Sequence, residues 1–100
     1  MVKHIVMFRF KDFAEGNPKV ENIKKFKSML EELPAKIPFI RLYEIGINYW
    51  QSERAYDMVL VSGFDTKDDL EAYRVNPDHV KVADFVNKVR EASHVVDYVI

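Results

Sequence analysis

The sequence contains no cysteine among its 100 residues. This absence excludes a disulfide, a thiolate nucleophile and a zinc site built on cysteine. Glycine and proline are scarce, with three and four copies, and the chain contains no linker, internal repeat or low-complexity segment. A chain of this length is expected to form one domain, residues 1–100, around a single core of modest size.

An excess of charge of one sign is also missing. The chain has 15 Lys and Arg against 16 Asp and Glu, without the basic stripe that nucleic-acid binding needs. No apolar run approaches the roughly 20 residues that a membrane-spanning helix requires. The amino terminus reads directly into strand-like sequence and not into a signal peptide. We therefore expect a cytoplasmic protein that binds neither nucleic acid nor membrane.

Alternating apolar residues predict four strands. The first spans residues 2–10, where one face carries Val2, His4, Val6, Phe8 and Phe10. The other face, formed by Lys3, Ile5, Met7 and Arg9, is charged at its ends and apolar in its middle. Further strands are predicted at residues 39–49, 56–64 and 93–100. A change of apolar phase between Leu42 and Tyr43 indicates a bulge, or a strand covered on both faces.

Apolar residues spaced three and four apart predict two long helices, at residues 18–33 and 77–92. We expect Pro34 to end the first helix and the last helix to be the longest. The first stripe contains Val20, Ile23, Phe26, Leu30 and Leu33, and the last contains Val82, Phe85, Val86 and Val89. Both stripes are expected to pack on the sheet.

A shorter helix is predicted before the last one, and a break separates the two. It opens at Thr66 and must stop near Val75, because Pro77 has no N–H and clashes with the preceding turn. Pro77 suits the first position of the next helix, and Asn76 can cap it. The sequence therefore predicts two helical segments joined at Asn76.

The predicted element order is βαββαβ, which is the ferredoxin-like arrangement of the α+β class. Helices then lie on one side of an antiparallel four-stranded sheet. The strands are apolar on both faces around Met7, Val59 and Val96, yet the helices can cover only one face. Because an exposed apolar patch of that size usually marks an interaction site, we expect a homodimer built sheet against sheet. The alternative is a monomer whose second face lines a small cleft.

The segment Tyr73-Arg74-Val75-Asn76-Pro77-Asp78-His79 combines a tyrosine, a helix break and a histidine. With the first and third strands, it resembles the stress-responsive dimeric α/β barrel (Dabb) family, whose members usually carry tyrosine, three residues, proline, one residue and histidine here. The resemblance covers essentially the whole chain. It implies a stress-response A/B barrel domain, a homodimer whose two sheets form a dimeric α+β barrel around internal clefts. Small bacterial members are similar, and plant olivetolic acid cyclase is a more distant one.

This resemblance implies the candidate site residues. Tyr73 and His79 match the tyrosine and histidine that act on a linear polyketide in the cyclase, so they are the candidate catalytic residues. His4 matches a histidine that lines the pocket. Phe26 and Met58 stand where the cyclase carries a tyrosine and a histidine. We therefore expect His4, Phe26 and Met58 to bind a substrate that differs from that of the cyclase.

The residue types suit proton transfer. Histidine can take and return a proton near neutral pH, and a tyrosine hydroxyl can donate to an enolate or carbonyl oxygen. His79 is expected near the start of a helix, where the helix dipole disfavours its imidazolium form. The three histidines lack metal-ligand spacing, so we expect no metal and no other cofactor.

Two functions from different classes remain open. The first is a cofactor-free enzyme or binder that acts by proton transfer on a small apolar carbonyl compound. The second is a stress-associated structural or binding dimer, in which Tyr73 and His79 only hold the helix break and His4 is a satisfied core histidine. A related family of dimeric barrels, the antibiotic-biosynthesis-type monooxygenases, gives a third interpretation.

Overall fold

An antiparallel sheet with helices packed on one of its faces makes up the computed structural model, which describes residues 1–100. The strands are β1 (Val2–Phe10), β2 (Phe13–Ala14), β3 (Asn17–Pro18), β4 (Leu42–Ile47), β5 (Met58–Phe64) and β6 (Arg90–Val99). The helices are α1 (Lys19–Glu31), α2 (Leu33–Lys36), α3 (Lys67–Val75) and α4 (Pro77–Val89).

The main sheet has the strand order β4-β5-β1-β6, and every neighbouring pair is antiparallel. The central strand β1 has the predicted bounds. Its His4 lies opposite Ser62 of β5 and Asp97 of β6. The element order and the sheet confirm the prediction of a ferredoxin-like α+β fold.

The hydrophobic core lies between the helices and the β1 face that carries His4. All four helices contribute buried side chains to it, namely Phe26, Leu30, Leu33, Leu70, Tyr73, Val82, Val86 and Val89. Three residues of the predicted stripes are less buried, and one of them, Ile23, is half-buried against the core. Val20 is 55% exposed in the first turn of α1, where it borders an open groove. Phe85 is only half-buried, with the Lys25 ammonium 4.6 Å from its ring centroid.

The break between α3 and α4 has the predicted form. The Thr66 side chain accepts a hydrogen bond from the Asp69 amide at 3.1 Å, and the Asn76 side chain accepts one from the Asp78 amide at 2.9 Å. Pro77 is the first residue of α4. These caps satisfy amides that the start of a helix leaves without an intrahelical partner.

The long helices end earlier than predicted. α1 ends at Glu31, and Pro34 lies in the first turn of α2, where its missing N–H costs nothing. α4 ends at Val89 because Arg90 pairs with Phe10 of β1. α1 and α4 each contain 13 residues, so the prediction that the last helix is the longest is wrong. None of the helices has the length and apolar character needed to cross a membrane.

Two loops also differ from the prediction. β4 begins at Leu42, so residues 39–40 precede the strand. It pairs with β5 without a register shift, so of the two alternatives for the change of apolar phase, the bulge is wrong. The polar loop after β1 contains the small β2–β3 hairpin. Its turn residues Glu15 and Gly16 have φ angles of 51° and 77°, the left-handed values that a tight hairpin turn requires.

The second face of the sheet carries no helix. The register places Met7 beside Val59, and Ile5 beside Val61 and Val96, so all these side chains share this face. Its apolar centre, which we call the open face, consists of Ile5, Met7, Val59, Val61, Val96 and Tyr98. Met7, Val96 and Tyr98 are 44%, 54% and 40% exposed.

Candidate functional site

A cleft of about 320 Å³ lies between the helices and the sheet. Apolar side chains of β1, α1 and α4 form most of its wall, including Val6, Phe8, Phe26, Leu30, Val82 and Val86. His4, Tyr73, Arg74 and His79 line the same cleft. The structure therefore brings together the two candidate catalytic residues and His4, which are far apart in the sequence.

His79 is the third residue of α4, and its ring has a defined hydrogen-bond partner. The Nδ1 atom lies 3.1 Å from the carbonyl oxygen of Arg74. A carbonyl oxygen only accepts, so Nδ1 donates, and in the neutral ring Nε2 keeps its lone pair. Burial lowers the pKa of His79, the bond to the Arg74 carbonyl opposes this, and the charges of His4 and Arg74 lower the pKa further. The ring is therefore a neutral imidazole with a free Nε2 at neutral pH.

Tyr73 is fully buried beside this ring, with a distance of 4.2 Å between the Tyr73 and His79 centroids. Its hydroxyl lies 2.8 Å from the hydroxyl of Tyr43 on β4. Burial raises the pKa of Tyr73 to about 12, against the opposing effect of the bond to Tyr43. Burial, and then the charge and hydrogen bond of Tyr73, raise the pKa of Tyr43 further. Both phenols stay protonated at neutral pH, and either can donate to the other.

A charged network holds His4 at the same end of the cleft. His4 Nδ1 hydrogen-bonds Asp97 Oδ1, and Arg74 Nη2 donates to Asp97 Oδ2 at 2.9 Å. Burial alone raises the pKa of Asp97, but the hydrogen bonds and charges of His4 and Arg74 outweigh it and hold this pKa below its usual value. His4 is 7% exposed, so the carboxylate of Asp97 fixes the orientation of a nearly buried ring.

The structure places the predicted binding residues in two different surroundings. Phe26 lines the cleft, as His4 does. Met58, in contrast, does not line this cleft. The register pairs Met58 with Phe8, four positions along β1 from His4. Its side chain is 2% exposed and belongs to the hydrophobic core.

Sequence reasoning missed Tyr43 and Asp97. Asp97 alternates with the apolar Val95 and Val99 on the same face of the last strand. A single carboxylate among apolar residues of one strand face was the signal that could have indicated a functional role for Asp97. Tyr43 looked like an ordinary apolar strand residue, and nothing in the sequence pairs it with Tyr73. No cluster of three or more His, Asp or Glu side chains has the geometry to hold a metal ion.

Known proteins resemble this chain over nearly its whole length. A family model described as the stress responsive A/B barrel domain matches residues 2–100. The stress-response A/B barrel domain-containing protein DABB1 of Arabidopsis thaliana is 30% identical, over 99% of this chain and 47% of that protein. A second stress-response A/B barrel domain-containing protein of the same plant is 32% identical, over 82% of this chain and 30% of its own length. The chain thus spans less than half the length of these curated relatives.

Solved structures share the fold. A dimeric protein with a ferredoxin-like fold from Bacteroides fragilis is 34% identical, covers 99% of this chain and 95% of that one, and superposes with a TM-score of 0.82. Hydroxynitrile lyase from Passiflora edulis is 18% identical, with 99% and 92% coverage and a TM-score of 0.82. An antibiotic biosynthesis monooxygenase is 13% identical, with 100% and 98% coverage and a TM-score of 0.73. At such identities the last two show a common fold alone.

Proposed function

The chain belongs to the stress responsive A/B barrel domain family, and from this premise we propose that it binds a small apolar carbonyl compound and transfers a proton on it. Tyr73 and His79 are the proposed catalytic residues. The observation that carries the proposal is their pairing: a neutral imidazole and a protonated phenol, with ring centroids 4.2 Å apart, line an apolar cleft. The cleft volume of about 320 Å³ is at the lower end of the range for ligand pockets, which supports a small ligand.

His79 acts as the base in this scheme. Its Nε2 removes a proton from the carbon next to the carbonyl group. The C–H electron pair forms a carbon–carbon double bond, and the carbonyl π pair moves to the oxygen as an enolate. Return of the proton from the imidazolium to a carbon restores the neutral ring. The lowered pKa of His79 keeps the base unprotonated at neutral pH.

Tyr73 stabilises the enolate oxygen by donating its hydroxyl hydrogen. Tyr43 supports this role as a positioning residue. When Tyr43 donates to Tyr73 across 2.8 Å, the Tyr73 hydrogen is free to point to the ligand. The Tyr43 bond also shifts the pKa of Tyr73 downward, against the effect of burial, which makes Tyr73 a better donor. No cofactor takes part in this step.

We infer further that two copies of the chain pair through the open face. Three of its side chains are 40% or more exposed, namely Met7, Val96 and Tyr98, and covering them stabilises association by about 25 cal/mol per Å² of apolar surface. The dimeric state of the similar protein from Bacteroides fragilis supports a dimer. The two sheets then enclose a barrel, with one helix-covered cleft in each subunit.

A specific observation also favours the second candidate function, a dimer that catalyses no reaction. Tyr73 is 0% exposed, and its hydroxyl already has a partner in Tyr43. His79 holds the carbonyl of Arg74 at the break between α3 and α4. In this second candidate function, all three side chains serve only to fix the helix break.

Exchange of α-protons separates the two candidates. Methyl hexyl ketone is incubated with the protein in deuterium oxide, and proton NMR follows the loss of its α-proton signals. The wild type is expected to accelerate this exchange over buffer, and His79→Ala and Tyr73→Phe are each expected to slow it by about 100-fold or more. Lys81→Ala is the control, because Lys81 is an exposed residue of the same helix outside the cleft.

A wild type no faster than buffer would contradict the proposal. If, in addition, His79→Ala and Tyr73→Phe lower only the melting temperature, the non-catalytic dimer is favoured.

A further inference from the structure

The cleft has a second polar end. Arg90, Asn87 and Ser93 line it together with the apolar wall. Arg90 directly follows α4, and Ser93 lies opposite Phe8 on β1. This polar group comes from the last turn of α4 and the first residues of β6, and neither Tyr73 nor His79 belongs to it.

The two ends of the cleft differ in charge. Arg74, beside His79, is neutralised by Asp97 at 2.9 Å and Glu71 at 3.1 Å. Arg90 has no carboxylate partner, and its only side-chain bond runs from Nε to Asn87 Oδ1 at 3.0 Å. A guanidinium has five N–H donors in a planar fork, so the two terminal nitrogens of Arg90 are free to bind an anion. The Arg90 end therefore has an unneutralised positive charge.

Two independent elements give the same separation between these ends. Asp97 and Ser93 lie opposite His4 and Phe8 of β1, a four-residue step that spans about 13 Å at the usual rise of a strand. His79 and Asn87 are eight residues apart on α4, which corresponds to about 12 Å along a helix. Apolar side chains of β1, α1 and α4 form the wall between the two ends.

We propose that the ligand of this cleft is an aliphatic oxo acid, with its carboxylate bound to Arg90 and its keto group at Tyr73 and His79. The proposal rests on the proposed function for the keto end and adds the anion site and the chain between them. A carboxylate matches the planar fork of a guanidinium in two parallel hydrogen bonds. The apolar chain of such a ligand matches the apolar wall of the cleft. The distance of about 12 Å between the two polar ends requires a chain of medium length.

Two probes with the same chain and opposite charge test the anion site. Decanoate and decylammonium are titrated into the full chain by calorimetry. The wild type is expected to bind decanoate about tenfold more tightly than decylammonium, the effect of one charge-assisted hydrogen-bond pair. The net charge of the chain is −1, so unspecific attraction favours the cation and works against this result.

Variants at the junction of α4 and β6 assign the preference to Arg90. Arg90→Gln is expected to remove the preference for decanoate, and Arg90→Lys to retain part of it. Lys88→Gln is the matched control, since Lys88 is an exposed cation of the last turn of α4, two residues before Arg90, and does not line the cleft. The wild-type comparison and Arg90→Lys still decide the question if Arg90→Gln does not fold.

Equal binding of the two probes, no binding of decanoate, or an unchanged preference in folded Arg90→Gln would overturn the proposal. Failure here is distinguishable from failure of the proposed function. Decanoate has no keto group, and methyl hexyl ketone has no carboxylate. Each probe therefore examines one end of the cleft alone.

Discussion

At the scale of single residues, two buried hydroxyl groups depend on each other. The hydroxyls of Tyr43 and Tyr73 are 2.8 Å apart, and Tyr73 is 0% exposed. Tyr43→Phe leaves the Tyr73 hydroxyl buried without a partner and is expected to lower the free energy of unfolding by about 1–3 kcal/mol. The double variant with Tyr73→Phe is expected to cost no more than Tyr43→Phe alone, because no unpaired hydroxyl remains. Urea unfolding measures both, and strictly additive losses would contradict a coupled pair.

His79 makes the stability of the fold depend on pH. Burial holds its pKa in the folded state below the ordinary 6.5. Above about pH 6.5 the ring is neutral in the folded and the unfolded state, so it does not change the free energy of unfolding. Below about pH 6.5 the unfolded state binds the proton more strongly, so the free energy of unfolding falls as the pH falls. His79→Gln is expected to flatten this acid slope.

Urea unfolding from about pH 7.5 to pH 5 measures that slope. His94→Gln serves as the control, because His94 lies opposite Met7 on the open face of the sheet, away from the cleft. A slope in His79→Gln as steep as that of the wild type would show that His79 does not titrate differently on folding.

Local sequence predicted part of this site and could not predict the rest. The segment from Tyr73 to His79 encodes a helix break and two polar side chains within seven residues, and the resemblance to the family made those two side chains candidates. Tyr43 and Asp97 come from β4 and β6, and reach the site only through the pairing of those strands. Strand register depends on the whole sheet, so their contacts cannot be read from their own segments.

At the scale of secondary structure elements, α4 packs on the core with an incomplete stripe. Phe85 is half-buried, so Phe85→Ala is expected to cost about 1–2 kcal/mol, less than the roughly 3–5 kcal/mol of a fully buried ring. Val80→Ala, at a position that is 40% exposed, is expected to cost less than about 0.5 kcal/mol. Chemical unfolding compares them, and equal small losses would show that Phe85 does not pack on the core.

The ends of elements were predictable where a side chain determines them. Asn76 and Pro77 encode the start of α4 through a cap and a fixed φ angle. The end of α4 has no such signal, since Arg90, Glu91 and Ala92 are all good helix formers. The pairing of these residues with β1 overrides their preference for a helix. The hairpin turn at Glu15 was missed for another reason, because glutamate rarely adopts a positive φ angle.

At the scale of the whole molecule, we propose that the open face determines the state of association. Light scattering at micromolar concentration is expected to give about twice the chain mass of 11.8 kDa. Met7→Asp, in the centre of the open face, is expected to dissociate the dimer, because an unpaired carboxylate at an apolar interface is costly. Val20→Asp is the control, at a residue of α1 that is 55% exposed. A wild-type monomer, or a dimer that Met7→Asp leaves intact, would contradict this arrangement.

The claim on which the whole account depends is that His79 presents a neutral Nε2 to a ligand in the cleft. Nitrogen NMR of uniformly labelled protein tests it most directly, since it reports the protonation of each ring nitrogen. At neutral pH the His79 ring is expected to carry its proton on Nδ1 alone, and methyl hexyl ketone is expected to shift its Nε2 signal while leaving His94 unchanged. An imidazolium, a proton on Nε2, or a His79 signal that does not move as the ketone is added would contradict the account.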